Sequence, residues 1–191
     1  MLNDLKLGAK EIFQYKEMLK DVVFASMNTP GEYMDKIFPI YEEIVDLLES
    51  FAPFNIEEFN EFISQELITY NEQPFFPVLA GLYVNALVNK LLESHPYIEL
   101  NLMQLCAEII DDATKHATSH DEAKNENEIS FSLDFMGYLL HPDKKLTIIG
   151  PVGDYCGALM GKNSTLVLHG MHGKHLGYEK AESAEIFVED L

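Results

Sequence analysis

The sequence predicts an α+β chain: an N-terminal helical bundle of about five helices followed by a short right-handed β-solenoid. Three observations predict it. Apolar residues recur at steps of three and four through positions 1–118, a polar run without an apolar stripe fills 119–128, and from Leu146 the chain repeats itself at a period of twenty. Leu146-Thr147-Ile148-Ile149-Gly150 returns as Leu166-Val167-Leu168-His169-Gly170, and again, without its glycine, as Ile186-Phe187-Val188-Glu189-Asp190. Gly150, Gly153 and Gly157 return as Gly170, Gly173 and Gly177. A fixed period of this size is the sign of turns stacked on one another. The organisation that follows is a bundle over 1–118, a polar linker over 119–128 and a solenoid over 129–191.

The helices come first in the chain. From Leu2 to Met27, Leu5, Ala9, Ile12, Leu19, Val22 and Val23 make one apolar stripe, and Asn28-Thr29-Pro30-Gly31 ends it. A second helix begins near Glu32 and is expected to turn Met34, Ile37, Phe38, Tyr41, Ile44, Val45, Leu48 and Phe51 inward, with Pro39 predicting a kink or a restart. Asn55 followed by Glu58 has the spacing of a capping box, and Phe59, Phe62, Ile63 and Leu67 give the third helix its stripe. Pro77 to Glu93 is apolar nearly all round, as a buried helix is. After Pro96 a fifth helix is expected from about Glu99 to His116, through Leu102, Leu105, Cys106, Ile109 and Ile110.

Within the repeat, side chains alternate with period two, so Leu146, Leu166 and Ile186 share a face with Ile148, Leu168 and Val188. Thr147, Val167 and Phe187 point the other way and are too apolar to face water uncovered. The glycines suit corners, where positive φ or close chain approach excludes a Cβ. Ile129 to Phe135 alternates as well and is expected to form a first rung.

The segment Gly150-Pro151-Val152-Gly153-Asp154-Tyr155-Cys156-Gly157-Ala158-Leu159-Met160-Gly161, followed by Leu166 to Gly170, resembles the glycine-patterned β-helix found in the glutamate synthase large chain and in formylmethanofuran dehydrogenase. The second copy, Gly170 to Gly177, keeps only the glycines. The resemblance implies a structural module that packs against catalytic parts and does no chemistry itself.

Charge narrows the partners. The thirteen basic residues are all lysines, and the formal charge is −19. With no guanidinium to clamp phosphate, and a field that repels anions, nucleic acid and anionic membrane are excluded as ligands. No apolar run reaches the length of a membrane span and no secretory pattern opens the chain, so a cytoplasmic protein is expected. Cys106 and Cys156 are read as two unpaired thiols.

Two groups of residues are candidate metal ligands. Asp112, His116 and His120 fall at i, i+4 and i+8, one turn beyond Glu108. At about 1.5 Å per residue the outer two lie about 12 Å apart on a straight helix, so only a pair can share an ion. His169, His172 and His175 are spaced by three around Gly170 and Gly173, where a loop can turn imidazoles together. Their counterparts twenty residues earlier, Ile149, Val152 and Tyr155, are ordinary strand and corner positions, which points the three apart. A transition metal is the one cofactor these residues leave open.

No nucleophilic triad, phosphate loop or nucleotide fingerprint is present in the sequence. The expected function is therefore a non-catalytic structural or interaction module, an accessory subunit or a self-associating protein, whose partner is another protein or its own copies. The alternative is a small metal-dependent enzyme using the histidines above. A weaker expectation is a ligand pocket lined by Phe75, Phe76 and Tyr83.

Overall fold

The computed structural model describes residues 2–25, 29–107 and 132–189, the side chains from 21 to 25 excepted. Helix α1 (Leu2–Ile12) passes through a 3-10 turn at Phe13–Tyr15 into α2 (Lys16–Ala25), where one continuous helix was expected. Helix α3 (Pro30–Glu49) is capped by Thr29, whose side chain accepts the backbone N–H of Glu32, and Pro30 supplies the preset φ of a first turn. It neither stops nor restarts at Pro39. Pro39 and Asp35, whose carbonyl loses its partner there, both lie on the exposed face, where water can take up the freed group.

Helix α4 (Ile56–Glu61) opens with the expected capping box, Asn55 and Glu58 bonding each other's backbone N–H. A π-turn (Phe62–Glu66) and a 3-10 turn (Leu67–Tyr70) then keep Phe62, Ile63 and Leu67 inward. Helix α5 (Phe76–Ser94) is buried on nearly every side, as its composition requires, and packs against α3. Strands β1 (Tyr97–Asn101), β2 (Lys145–Ile149), β3 (Thr165–His169) and β4 (Glu185–Glu189) form one parallel sheet in chain order.

Two expectations are corrected here. The fold is a mixed α/β arrangement whose four strands make a flat parallel sheet, not a helical bundle followed by a β-solenoid. The segments between β2, β3 and β4 are turns, so one strand per repeat builds one sheet and no further walls. Residues 129–131 of the expected first rung, Ile129 to Phe135, lie outside the described residues. Of that run the described part contributes only a single bridge, Leu133 to Val152, and the sheet's first strand is Tyr97–Asn101, where a helix was expected to begin. Residues 103–107 are helical, and the rest of the expected fifth helix lies outside the described residues.

The period of twenty survives as register. Leu146, Leu166 and Ile186 are direct partners, and Ile98 joins them from β1; Leu100, Ile148, Leu168 and Val188 form the second column. The core side chains of both columns are fully buried through β3 and lose their cover at β4, where Val188 is 47% exposed. On the opposite face the cover thins in the same direction: Thr147 is buried, Val167 half-buried and Phe187 exposed. The connecting turns stack at the same step, Gly153 N–H donating to Leu133 O, Gly157 to Met136 O and Gly177 to Cys156 O.

Helices and turns share one core. Tyr33 of α3 packs on the rings of Phe135 and Tyr155, and the backbone of Asp134 lies so close to Gly81 of α5 that a Cβ there has no room.

Candidate interaction surfaces

Three side-chain arrangements stand out against this frame. The first is a ladder of rings. Phe135, Tyr155 and His175 occupy equivalent positions in successive turns, each with left-handed backbone at φ 60°, 57° and 58°. Phe135 and Tyr155 stack with centroids 5.4 Å apart, and Tyr155 and His175 at 4.6 Å. Each ring residue follows a position that ties the turns together: Asp134 Oδ1 accepts the N–H of Asp154 at 2.8 Å, and Asp154 Oδ1 accepts that of Lys174 at 2.7 Å. Burial pushes the Asp134 carboxyl up to about 7; the Asp154 N–H opposes this, and the Asp154 charge adds to it.

Glycine at 153 and 173 is required for another reason than a corner. Neither has positive φ, and a Cβ would meet the carboxylate oxygens of Asp134 and Asp154 respectively. Gly150, Gly157, Gly170 and Gly177 do adopt positive φ, at 120°, 67°, 142° and 65°. Gly137 does so too, at 74°, and other left-handed corners are made by bulky or polar residues, Leu139, Asp143, Leu159 and Asn163 among them.

The second arrangement is the outer edge of β4. Among the described residues no strand pairs with that side. Phe187 and Val188 are each 47% exposed and Met171, in the preceding turn, 80%. Acidic Glu185 and Glu189 close both ends of the strand. Lys180 Nζ donates to Ala184 O at 2.6 Å, occupying a carbonyl whose equivalent one turn earlier, Ser164 O, accepts the N–H of Glu185.

The third is a groove of about 900 Å³ between α3 and α5, lined among others by Phe38, Val45, Leu139 and Lys90 and rimmed by Glu42, Glu43, Asp46, Glu49 and Glu93. One of its wall residues, Asn89, belongs to a buried amide pair that no motif in the sequence announces. Asn85 and Asn89, one turn apart on the otherwise apolar α5, both donate to Tyr41 Oη and to Tyr138 O. Two asparagines at i and i+4 in an apolar helix are the one signal that could have found them.

The expected metal ligands do not gather. His169 Nδ1 lies 3.2 Å from Glu189 Oε2 across the β3–β4 register, His172 Nδ1 is 2.8 Å from Gly173 O, and His175 is committed to the ring ladder. Among the described residues no three His, Cys, Asp or Glu side chains come together to hold a metal ion. Asp112, His116 and His120 lie outside the described residues. Phe76 and Tyr83 are core residues, the Tyr83 hydroxyl donating to Leu5 O at 2.8 Å. Both cysteines are buried, and burial raises the Cys106 thiol to about 11 and the Cys156 thiol further still. No helix among the described residues is long and apolar enough to cross a membrane.

No protein-family model matches the chain, and neither does any curated protein or solved structure, so its function is read from geometry alone.

Proposed function

We propose that the chain is a non-catalytic interaction module, an accessory part of a larger assembly, that takes up a strand of another protein on the outer edge of β4. The observation that carries this reading is the contrast between neighbouring strands. Leu166 and Leu168 of β3 are fully buried, while their register partners Ile186 and Val188 are left partly or half open beside exposed Phe187. An edge with unpaired backbone groups and apolar side chains is a template for strand addition.

Charge selects the partner. Antiparallel pairing of two copies about Phe187 sets Glu185 of one against Glu189 of the other, and like charges directly opposite are destabilising. A strand with apolar residues between basic ends meets both glutamates with opposite charge. The bridge from Lys180 to Ala184 O leaves the edge guarded until such a strand displaces it.

The test is affinity capture of the full chain from its native cells, in parallel with Phe187→Lys and Val188→Lys, followed by chemical cross-linking. A stoichiometric companion cross-linked near Lys180, and lost with both variants, supports the reading. A companion retained by both variants, or self-association alone, overturns it.

A further inference from the structure

We infer that the groove between α3 and α5 is a second docking site, distinct from the β4 edge, which receives a basic amphipathic helix from a partner protein. Its walls carry two kinds of side chain in helical register. Phe38 and Val45, two turns apart on α3, are 41% and 38% exposed. Beside them run Glu42, Asp46 and Glu49, at steps of four and three, all exposed. Glu43 and, from α5, Glu93 complete the acidic rim, against which the groove sets only Lys90 and His141.

An apolar stripe flanked by a single sign of charge, both repeating every two turns, is the complement of one helix face. Apolar residues at i, i+3/i+4 and i+7 seat on Phe38, Val45 and Leu139, while lysines or arginines on the flanks meet the carboxylates. The α3 wall from Phe38 to Glu49 is about 16 Å long, so a partner of about three turns spans the groove. A volume of about 900 Å³ holds several of its side chains.

The experiment uses the full chain and a fluorescein-labelled synthetic peptide of about fourteen residues. Its leucines sit at i, i+3/i+4 and i+7 and its lysines elsewhere; a scrambled peptide of identical composition is the control. Fluorescence anisotropy at low salt is expected to show saturable binding at least about tenfold tighter for the ordered peptide than for the scramble, with a smaller loss at high salt for the ordered one. Glu42→Lys with Asp46→Lys, both at exposed positions, is expected to lower that affinity at least about tenfold, and Phe187→Lys in β4 to leave it unchanged. Val45→Asp, a single exposed change, gives an independent loss should the double variant lose its circular dichroism. Equal binding of ordered and scrambled peptides, or wild-type affinity in the groove variants, overturns the assignment. Dimerisation of the free chain through the same variants' positions, seen by sedimentation, would assign the groove to a second copy instead and overturn it too.

Discussion

The imidazole of His175 lies over the phenol ring of Tyr155, centroids 4.6 Å apart and planes inclined by 21°, which makes an exposed histidine the end of a stack whose other rings are buried. Phe135 beneath them is fully buried and also meets Tyr33 and Tyr138. Phe135→Ala is expected to destabilise the chain by about 3–5 kcal/mol, the usual cost of emptying a buried ring site, and His175→Ala by much less. Urea denaturation of both variants checks the order.

Gly153 and Asp134 are expected to be strongly coupled. Gly153→Ala drives a methyl into the Asp134 carboxylate and costs about 1–3 kcal/mol; Asp134→Ala strands the Asp154 N–H and costs a similar amount. In the double variant the clash is gone, so the two losses add to less than their sum. Additive losses in a double-mutant cycle would show that the carboxylate does not set the glycine requirement.

The same carboxyl gives a pH dependence of defined sign. Its affinity for a proton is raised in the folded state, to about 7 from the ordinary 3.8. The folded chain therefore binds more protons than the unfolded chain between these values. The stabilisation is complete below about 3.8 and is lost as pH rises through about 7. Asp134→Asn keeps the acceptor without the charge, so its advantage over wild type is expected to grow from pH 4 to pH 8 by on the order of 2 kcal/mol, a discounted share of about 1.4 kcal/mol per tenfold change in proton affinity. Parallel denaturation curves at the two pH values measure it; an advantage that does not change with pH refutes it.

Cover along the sheet predicts a gradient of mutational cost. Leu168→Ala in β3 is expected to cost about 2–5 kcal/mol, whereas Val188→Ala, its partner in β4, costs under about 1 kcal/mol in the isolated chain. Equal costs would mean that β4 is covered in solution.

Much of this was legible in the residues. The period of twenty fixed the register of β2, β3 and β4, Asn55 and Glu58 marked a capping box, and the all-round apolarity of residues 77–93 marked the buried helix. β1 was lost because Tyr97 to Asn101 alternates over only five residues and runs straight into Leu102, Leu105 and Cys106, whose helical spacing dominates a longer window. The boundary was nevertheless written: Asn101 Oδ1 accepts the N–H of Met103, the bond of an Asx turn that ends the strand. The ring ladder was hidden for a different reason. Phe135, Tyr155 and His175 each stand two residues before Gly137, Gly157 and Gly177, but they differ in type, and only stacking reveals that a phenyl, a phenol and an imidazole serve one purpose. Periodicity likewise repeats in a sheet as it does in a coil, so it specified neighbours without specifying how the stack closes.

The unequal sequence distance between paired strands also sets an order of assembly. β2, β3 and β4 each find their neighbour twenty residues away, whereas Tyr97 of β1 must reach Lys145 across forty-eight. Closing the longer loop costs about 0.8 kcal/mol more chain entropy, a factor of about four in the chance of encounter. The sheet therefore grows outward from its repeated strands and recruits β1, with the helices attached to it, as the closing event. Pulse-labelled hydrogen exchange during refolding should find the amides of β3 protected before those of β1; the reverse order would place the nucleus among the helices.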